Sequence, residues 1–549
     1  MEKFFNSFSV IVDFLHEPVG WMAAFAGFCI VKLLMVFLND ASSINQKVWL
    51  RITQIALFGC GLCVAYLWLF KRQELRNLLI LVTLVMLLTA AISIATKYAV
   101  GPSLDVIKSH LTRRSKLERN RRTDSRNMTA HLPRKRDAFD PARRTKTGRV
   151  FIGLDERKRE VVCPLPMQNI AVIGTTGAGK GVLLSSLAAQ CARAGEFVFF
   201  GDPKTDDWAP HVLYAACRAA GVQYVFLDLQ PDAPHQTNII AGASADEIEE
   251  LLSVAFSLDD SGNPGSDFYR PADRDAAAYV ARRATEGTTI ARLYQECGDH
   301  LHDTAENFAR RLKELAAMRS VNAIGGVSLA SMMQTGGVVY CRGSMRNPKV
   351  KLLQRMLLVR LLQLAERRST VGGEPRQVFT VLDEVRAWLS RPMVEFLSTA
   401  RSKRVHVALA AQSLADIRDC PSDMNPDSVV GAVVENCPLK AFYRVQDPTT
   451  SAWVAEQTGT ILVDDEVRSF ESNALLIERV SKTRSVRQAE RCLFDMNQLL
   501  NLPPSWAVVR GAGETRLVQI CPMRADRNPI AITSEAYEGD VLIEAEAAI

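Results

Sequence analysis

The stretch Ile173-Gly174-Thr175-Thr176-Gly177-Ala178-Gly179-Lys180-Gly181 decides the fold of this chain. An apolar run at 169–173 precedes it, and a helix-like segment at 182–187 follows it. Strand, glycine-rich loop and helix in this order, with the spacing GxxxxGK, are typical of a loop that holds nucleotide phosphates. Glycines let backbone N–H groups point at the phosphates, and the positive end of the helix dipole favours the same anion. The sequence therefore predicts a binding site for ATP or a related nucleotide.

The predicted phosphate contacts come from one continuous run of residues. Lys180 is expected to reach the β- and γ-phosphate oxygens. The next residue in such loops usually carries a hydroxyl that binds Mg²⁺, but this chain has Gly181 there. The residues predicted to bind the nucleotide are Gly174, Thr175, Thr176, Gly177, Ala178, Gly179, Lys180, Gly181 and Val182.

A second motif, Val381-Leu382-Asp383-Glu384, ends an apolar strand with two carboxylates. In an ATPase with this type of loop, the Asp holds Mg²⁺ and the Glu polarises the attacking water. We therefore expect Asp383 to be the metal ligand and Glu384 to be catalytic. Because Gly181 offers no hydroxyl, Mg²⁺ should depend more on Asp383 than is usual.

Other polar residues flank the predicted strands. Gln412 follows an apolar strand and is predicted to sense the γ-phosphate, unless the strand simply ends there in solvent. Arg401 and Arg404 precede that strand. Arg401 is predicted to act as a finger on a neighbouring subunit's nucleotide, with Arg404 as the alternative and a surface position as the plainer interpretation. Asp202 and Lys204 follow another strand, where they either face a ligand or cap the loop.

Strand-like and helix-like segments alternate over much of the chain, which predicts an α/β fold with a mostly parallel, doubly wound sheet. Residues 243–320 interrupt this alternation with a polar helical pattern and indicate an all-α insertion. The helices between later strands are predicted at 348–367 and 391–401. The predicted strands are 150–154, 160–163, 197–200, 224–227, 337–340, 378–382, 405–411 and 441–443.

The N-terminal region carries apolar segments long enough to cross a membrane. Residues 52–70 and 78–96 are each 19 residues without a charge, and 21–38 is a weaker candidate. A span of about 20 apolar residues crosses a hydrocarbon core. Lys and Arg greatly outnumber Asp and Glu between Lys108 and Arg149. This excess of positive charge beside the spans places the following domain in the cytoplasm. Two spans would put the N-terminus inside and three would put it outside.

The chain has 12 cysteines, and Cys60 and Cys63 form a CxxC pair inside an apolar segment. No second pair completes a zinc site of the usual spacing. We therefore expect reduced cysteines with structural roles.

These patterns divide the chain into six predicted regions. The first three are a membrane-anchoring region at 1–107, a basic linker at 108–149 and the first part of the nucleotide-binding domain at 150–242. The all-α insertion at 243–320, the second part of the nucleotide-binding domain at 321–530 and an acidic tail at 531–549 follow.

Four motifs in this order resemble a known family: GTTGAGKG, GDPK, LDE and AAQSLADI, followed by Asn436 and the segment FYRVQD at 442–447. The chain is similar here to the type IV coupling proteins, the TraD/TrwB/TraG group of conjugation ATPases. Lysine followed by glycine in the phosphate loop is familiar in that group. The likeness covers roughly residues 150–525, and the N-terminal spans and the helical insertion match the same architecture.

The resemblance implies a RecA-like motor that binds ATP and Mg²⁺ and moves DNA. It implies a homo-hexamer anchored by several spans in the bacterial inner membrane, with the ATPase domain in the cytoplasm. Such a motor couples a relaxase–DNA complex to the channel of a type IV secretion system. Arg401 stands where the family carries an Arg-Lys pair before the glutamine strand.

Two alternatives differ in what the motor moves. An FtsK-like DNA pump would carry a C-terminal winged-helix domain, and the 25 residues after Arg524 are too few for one. An ATP-dependent receptor for secreted proteins would not respond to DNA.

Overall fold

The computed structural model describes residues 138–259, 270–368, 373–472 and 478–527, together with Leu88. The chain divides into two compact units, 1–118 and 119–549. Apart from Leu88, the predicted membrane spans, and the acidic tail after 531, lie outside the described residues. Among the helices that the structure does describe, none has the length and apolarity needed to cross a membrane.

The second unit is a mixed α/β structure. Its strands are β1 Arg149–Asp155, β2 Glu160–Pro164, β3 Ile170–Ile173, β4 Phe197–Asp202, β5 Tyr224–Asp228, β6 Gly337–Arg342, β7 Val378–Leu382, β8 Val405–Ala411, β9 Leu439–Phe442, β10 Thr460–Ser472, β11 Glu478–Cys492, β12 Trp506–Arg510 and β13 Arg516–Gln519. Its helices are α1 Lys180–Arg193, α2 Ala209–Ala220, α3 Ala245–Phe256, α4 Arg270–Ala281, α5 Ile290–Thr304, α6 Glu306–Ala316, α7 Leu329–Thr335, α8 Pro348–Glu366, α9 Arg391–Thr399, α10 Leu414–Arg418, α11 Pro426–Asn436, α12 Pro448–Gln457 and α13 Met496–Leu500.

Eleven strands form one sheet in the order β2-β1-β13-β12-β9-β3-β8-β7-β4-β6-β5. The pairs from β9 to β5 are all parallel. The pairs from β2 to β9 are all antiparallel. The structure thus contains the parallel sheet that the sequence predicts, extended by an antiparallel half. The strands β10 and β11 form a separate antiparallel ribbon.

The central strands are buried on both faces, as parallel strands covered by helices usually are. Along β3, Ala171 and Ile173 belong to one apolar cluster, and Ile170 and Val172 belong to the other. Helices α1 and α2 contribute to the second cluster. Helices α3 to α8 contribute to the first. Burial of apolar side chains on both faces holds the parallel strands in a fixed register.

Between β5 and β6, the described residues form helices α3 to α7 and no strand that belongs to a sheet. Helix α3 begins at a capping box, in which Ser244 and Glu247 satisfy each other's backbone N–H groups. Within this region, Phe256 and Phe308 pack edge to face with ring centroids 5.0 Å apart. This segment returns the chain to the sheet at β6, which pairs with β4 and β5.

Candidate nucleotide-binding site

Four adjacent strands bring the predicted site residues to one edge of the sheet. The order β3-β8-β7-β4 is continuous, and all three pairs are parallel. Their carboxyl ends therefore meet at the same edge, which is where ligands bind in open α/β sheets. Gly174 follows β3, Gln412 follows β8, Asp383 follows β7 and Lys204 follows β4.

The phosphate loop turns through glycines that adopt left-handed backbone angles. Gly177 has φ +75° and Gly179 has φ +112°, a region that side chains rarely enter. At Gly174, an added Cβ would lie 2.5 Å from the Cβ of Tyr443, so the loop packs directly against this buried residue. Helix α1 starts at Lys180, and the first N–H groups of a helix have no partner within it. The loop therefore presents N–H donors to an anion.

Lys180 is folded into the loop. Its side chain is 7% exposed, and Nζ donates to the carbonyl oxygens of Gly174 at 2.6 Å and Thr175 at 3.3 Å. Burial lowers the pKa of Lys180, while the carboxylates of Glu384 and Asp383 act in the opposite direction. The two carboxylates favour the charged ammonium in this buried position, and a charged ammonium can form strong hydrogen bonds to phosphate oxygens.

Glu384 is buried and held by residues from two neighbouring strands. It is 1% exposed and has φ +51°, which is uncommon for a residue with a side chain. Lys204 Nζ forms an ion pair with Glu384 Oε1. Gln412 Nε2 donates to both carboxylate oxygens of Glu384 at 3.0 Å. An unusual backbone conformation at a fully engaged carboxylate is a pattern found at functional sites.

Gln412 also connects Glu384 to the phosphate loop. Thr176 Oγ1 donates to Gln412 Oε1 at 3.2 Å. The backbone N–H of Gln412 donates to Asp416 Oδ2 at 2.8 Å, which fixes the end of β8. The side chain of Gln412 therefore lies between the phosphate loop and Glu384, and not simply in solvent at the end of the strand.

Asp383 directly follows β7 and precedes Glu384. Burial raises its pKa to about 7, with further contributions from the charges of Asp202 and Glu384. Its backbone carbonyl accepts a hydrogen bond from Trp388 Nε1 at 3.0 Å. Trp388 is fully buried against Gly201, where an added Cβ would lie 2.4 Å from the indole ring. Trp388 thus connects the backbone of Asp383 to the neighbouring strand β4.

Asp202 organises the loop after β4. Its Oδ1 accepts from the backbone N–H groups of Lys204 at 2.8 Å and Thr205 at 3.0 Å. Its Oδ2 accepts from the N–H of Asp206 at 2.6 Å and from the hydroxyl of Tyr340. Asp202 therefore caps this loop, which directs Lys204 towards Glu384. The sequence motif placed both residues at this edge, but it did not reveal their different roles.

A carboxylate faces the position of the missing hydroxyl. An added Cβ at Gly181 would lie 3.2 Å from Asp206 Oδ2. The other oxygen of Asp206 accepts from the N–H groups of Trp208 at 2.6 Å and Ala209 at 3.0 Å. Asp206 is thus fixed beside the start of α1. The sequence reasoning missed this residue because its link to Gly181 depends on how the loop after β4 turns.

Arg401 and Arg404 lie at the opposite edge of the sheet. Both precede β8, whose seven residues separate them from the phosphate loop by about 20 Å. Arg401 is exposed, and Arg404 forms an ion pair with Glu374. Arg401 therefore does not reach the nucleotide site of its own chain, and a role on a neighbouring subunit's nucleotide stays a prediction.

Taken together, the strand, the glycine loop, helix α1 and the buried Lys180 define a P-loop nucleotide-binding domain of the NTPase type. A family model described as "TraM recognition site of TraD and TraG" matches residues 377–504. The chain is 28% identical over 400 residues to Mobilization protein A of Escherichia coli, a match that covers 66% of this chain and 68% of that protein. These two matches confirm the resemblance to the TraD/TrwB/TraG coupling proteins that the sequence motifs predict.

Solved structures to which the chain is similar include a bacterial conjugative coupling protein, TrwBdeltaN70, in an unbound monoclinic form. It is 15% identical, with a TM-score of 0.49 over 71% of this chain and 94% of that chain. Plasmid coupling protein TrwB in complex with ADP and Mg²⁺ is 15% identical, with a TM-score of 0.48, and the match covers 66% of this chain and 87% of that chain. VirB4 of Thermoanaerobacter pseudethanolicus is 13% identical, with a TM-score of 0.45, and the match covers 70% of this chain and 98% of that chain.

Proposed function

We propose that this chain is an ATP-hydrolysing motor that couples a relaxase–DNA complex to a type IV secretion channel during conjugation. The observation that carries the proposal is the meeting of Lys180, Glu384 and Gln412 at one edge of the sheet. The match of residues 377–504 to a recognition segment of TraD and TraG supports a relaxosome protein as a partner. Two elements of the proposal come from the apolar segments and the charges of the sequence: a membrane anchor through 52–70 and 78–96, and a cytoplasmic ATPase domain. The homo-hexamer and the inner membrane are what the resemblance to the coupling proteins implies.

Each side chain has a separate task in hydrolysis. Lys180 binds the phosphate oxygens on which charge increases as the γ-phosphoryl group leaves. Glu384 orients the attacking water and accepts its proton, while Lys204 and Gln412 hold the carboxylate in position. Thr176 and Gln412 connect the loop to that carboxylate, so the presence of the γ-phosphate can be transmitted to β8.

The residues beside Gly181 fit a hard cation. Mg²⁺ prefers oxygen ligands. Asp206 Oδ2 lies where a hydroxyl is usually found, and Asp383 follows β7 at the same edge of the sheet, so these two carboxylates would hold the ion. A Cβ at Gly181 would lie 3.2 Å from Asp206 Oδ2, so with glycine no side chain of the loop presses on this oxygen. When bound, Mg²⁺ would neutralise charge on the phosphate oxygens.

DNA transfer between cells tests this function directly. A strain whose only copy of the gene carries Lys180→Ala should transfer its conjugative DNA at a frequency lower by at least a thousandfold than the wild type. Lys313→Ala, an exposed lysine on α6, is the matched control and should transfer normally. Normal transfer by the Lys180→Ala strain would contradict the proposal.

The receptor alternative makes a different prediction. A protein that only recruits secreted proteins should hydrolyse ATP at the same rate with and without DNA. Stimulation by DNA that disappears in the Glu384→Gln variant supports the motor. An unchanged rate would favour the receptor.

A further inference from the structure

Three side chains that commonly bind metals meet inside the sheet, at the edge opposite the nucleotide site. Cys191 lies near the end of α1, Glu196 lies in the turn before β4, and His406 is the second residue of β8. They are 0%, 5% and 3% exposed. The nucleotide site uses none of them, and the sequence gives no spacing motif because 215 residues separate Cys191 from His406.

Their donor atoms have the spacing that a small cation requires. Cys191 Sγ lies 3.8 Å from His406 Nε2, which lies 3.1 Å from Glu196 Oε2. All three donor atoms lie within 4.8 Å of one another. Tetrahedral zinc, with bonds of about 2.0–2.3 Å, places its ligand atoms about 3.3–3.7 Å apart. The three side chains can therefore bind one zinc ion after shifts of about an ångström.

The cluster is buried, and its polar atoms face one another. Glu196 Oε2 has the imidazole of His406 as its partner at 3.1 Å, and His406 Nε2 also faces Cys191 Sγ at 3.8 Å. A cation between the three side chains would replace these contacts with bonds to a carboxylate oxygen, an imidazole nitrogen and a thiolate. The imidazole of His406 is also fixed in orientation, because it stacks on Phe379 with ring centroids 4.6 Å apart.

A cleft lies beside one residue of this cluster. Glu196 is one of the residues that line a cavity of about 800 Å³ at the amino edge of the sheet, together with Gln190, Gly195 and Arg376. Cys191 and His406 do not line this cleft, so Glu196 is the member of the cluster that borders it. The three side chains leave the fourth position of a tetrahedral ion to water.

We propose that Cys191, Glu196 and His406 form a zinc site with water as the fourth ligand. Binding releases the thiol proton of Cys191 to solvent and leaves a thiolate on the metal. The site would join the far end of the phosphate-loop helix α1 to the start of β8, the strand that ends at Gln412. This assigns a metal to one of the cysteines that the sequence predicted to be only structural.

The metal content of the purified full-length chain tests the site. After dialysis against metal-free buffer, the wild type should retain about one zinc per chain. Cys191→Ala and His406→Phe should each retain less than a tenth of that amount. The phenylalanine of His406→Phe keeps a ring stacked on Phe379. Cys163→Ala replaces a buried cysteine outside the cluster and should retain zinc like the wild type.

Cobalt provides a second measurement that does not depend on how well a variant folds. Adding Co²⁺ to the chelator-treated wild type should produce a near-ultraviolet sulfur-to-cobalt charge-transfer band, and equimolar Zn²⁺ should remove it. A wild type that holds no zinc and gives no such band at micromolar Co²⁺ would overturn the proposal. A band of full intensity in Cys191→Ala would overturn it as well.

Discussion

The side-chain nitrogen of Gln412 lies 3.0 Å from both carboxylate oxygens of Glu384. The other end of the same amide accepts a hydrogen bond from Thr176 of the phosphate loop at 3.2 Å. One residue at the end of β8 therefore connects the loop that binds phosphates to the carboxylate that is predicted to activate water. This connection explains how occupancy of the loop and the position of the catalytic group can be linked.

Replacing Gln412 should slow the chemical step more than it weakens nucleotide binding. Gln412→Ala leaves Lys180 in place but removes the amide that holds Glu384, so kcat should fall roughly 10- to 100-fold. The nucleotide Kd should change by less than about threefold. Steady-state ATPase kinetics and a binding titration measure the two effects. Gln295→Ala, exposed on α5, is the control, and equal losses in kcat and binding would contradict this role.

Lys204 should act through Glu384. Lys204→Ala removes the ion pair and leaves the buried carboxylate with Gln412 alone, so we expect kcat to fall by roughly tenfold or more. Lys204→Met keeps the length of the side chain without its charge, so its kcat should fall as much as that of Lys204→Ala. Lys204→Arg keeps the charge and should retain part of the activity. ATPase rates of the three variants separate charge from packing. Full activity in Lys204→Met would show that the ion pair is dispensable.

The buried Asp383 predicts an unusual dependence of stability on pH. Because its pKa is raised to about 7 in the folded chain, from 3.8 when exposed, the folded state binds more protons than the unfolded state between these values. This group therefore makes the nucleotide-free chain less stable as the pH rises from about 4 to 7. Asp383→Asn cannot ionise and should raise Tm relative to the wild type at pH 8 but hardly at pH 4.5.

Thermal melts without nucleotide or Mg²⁺ at the two pH values measure this difference. Asp299→Asn, on the exposed surface of α5, is the matched control and should show no such pattern. A gain in Tm that is the same at both pH values would mean that the ionisation of Asp383 is not its cause. Loss of Mg²⁺-dependent hydrolysis in Asp383→Asn is expected separately, because the metal would lose a carboxylate ligand.

If Arg401 takes part in hydrolysis, it should act on the nucleotide of a neighbouring subunit. Glu384→Gln and Arg401→Ala chains should each be nearly inactive alone. When mixed, some interfaces combine an intact Glu384 with an intact Arg401 of the neighbour, so partial activity should return. If the mixture forms rings but stays inactive, Arg401 does not act in trans. Arg404→Ala is the matched variant, because Glu374 already holds that arginine.

The sequence predicts the parallel strands well because each of them is buried on both faces. The strands β3, β4, β7 and β8 appear as continuous apolar runs, and turn residues mark their ends. The strands β12 and β13, which pair with each other and with β9 and β1, are not predicted from the sequence. The ribbon of β10 and β11 also escapes prediction, because its polar sequence lacks the apolar run of a core strand.

Some residues of the nucleotide site can likewise be predicted from the sequence, and others cannot. Gly174, Asp383 and Gln412 are predictable because the residues after parallel strands share one edge. The ion pair of Lys204 with Glu384 is not, because it depends on the loop that Asp202 caps and on Thr205 at φ +65°. The position of Arg401 at the far edge could have been inferred from strand direction alone. No local signal reveals the Cys191 cluster, since only the fold brings its members together.

The rate of ATP hydrolysis by the full-length chain, measured with and without DNA for the wild type and Lys180→Ala, tests the central claim most directly. Lys180 stabilises the transferring phosphoryl group by several kcal/mol in sites of this kind, so its loss should lower the rate by at least about a hundredfold. We predict that DNA stimulates the wild type and leaves Lys180→Ala inactive. A Lys180→Ala rate above about a tenth of the wild type, under either condition, would contradict the account.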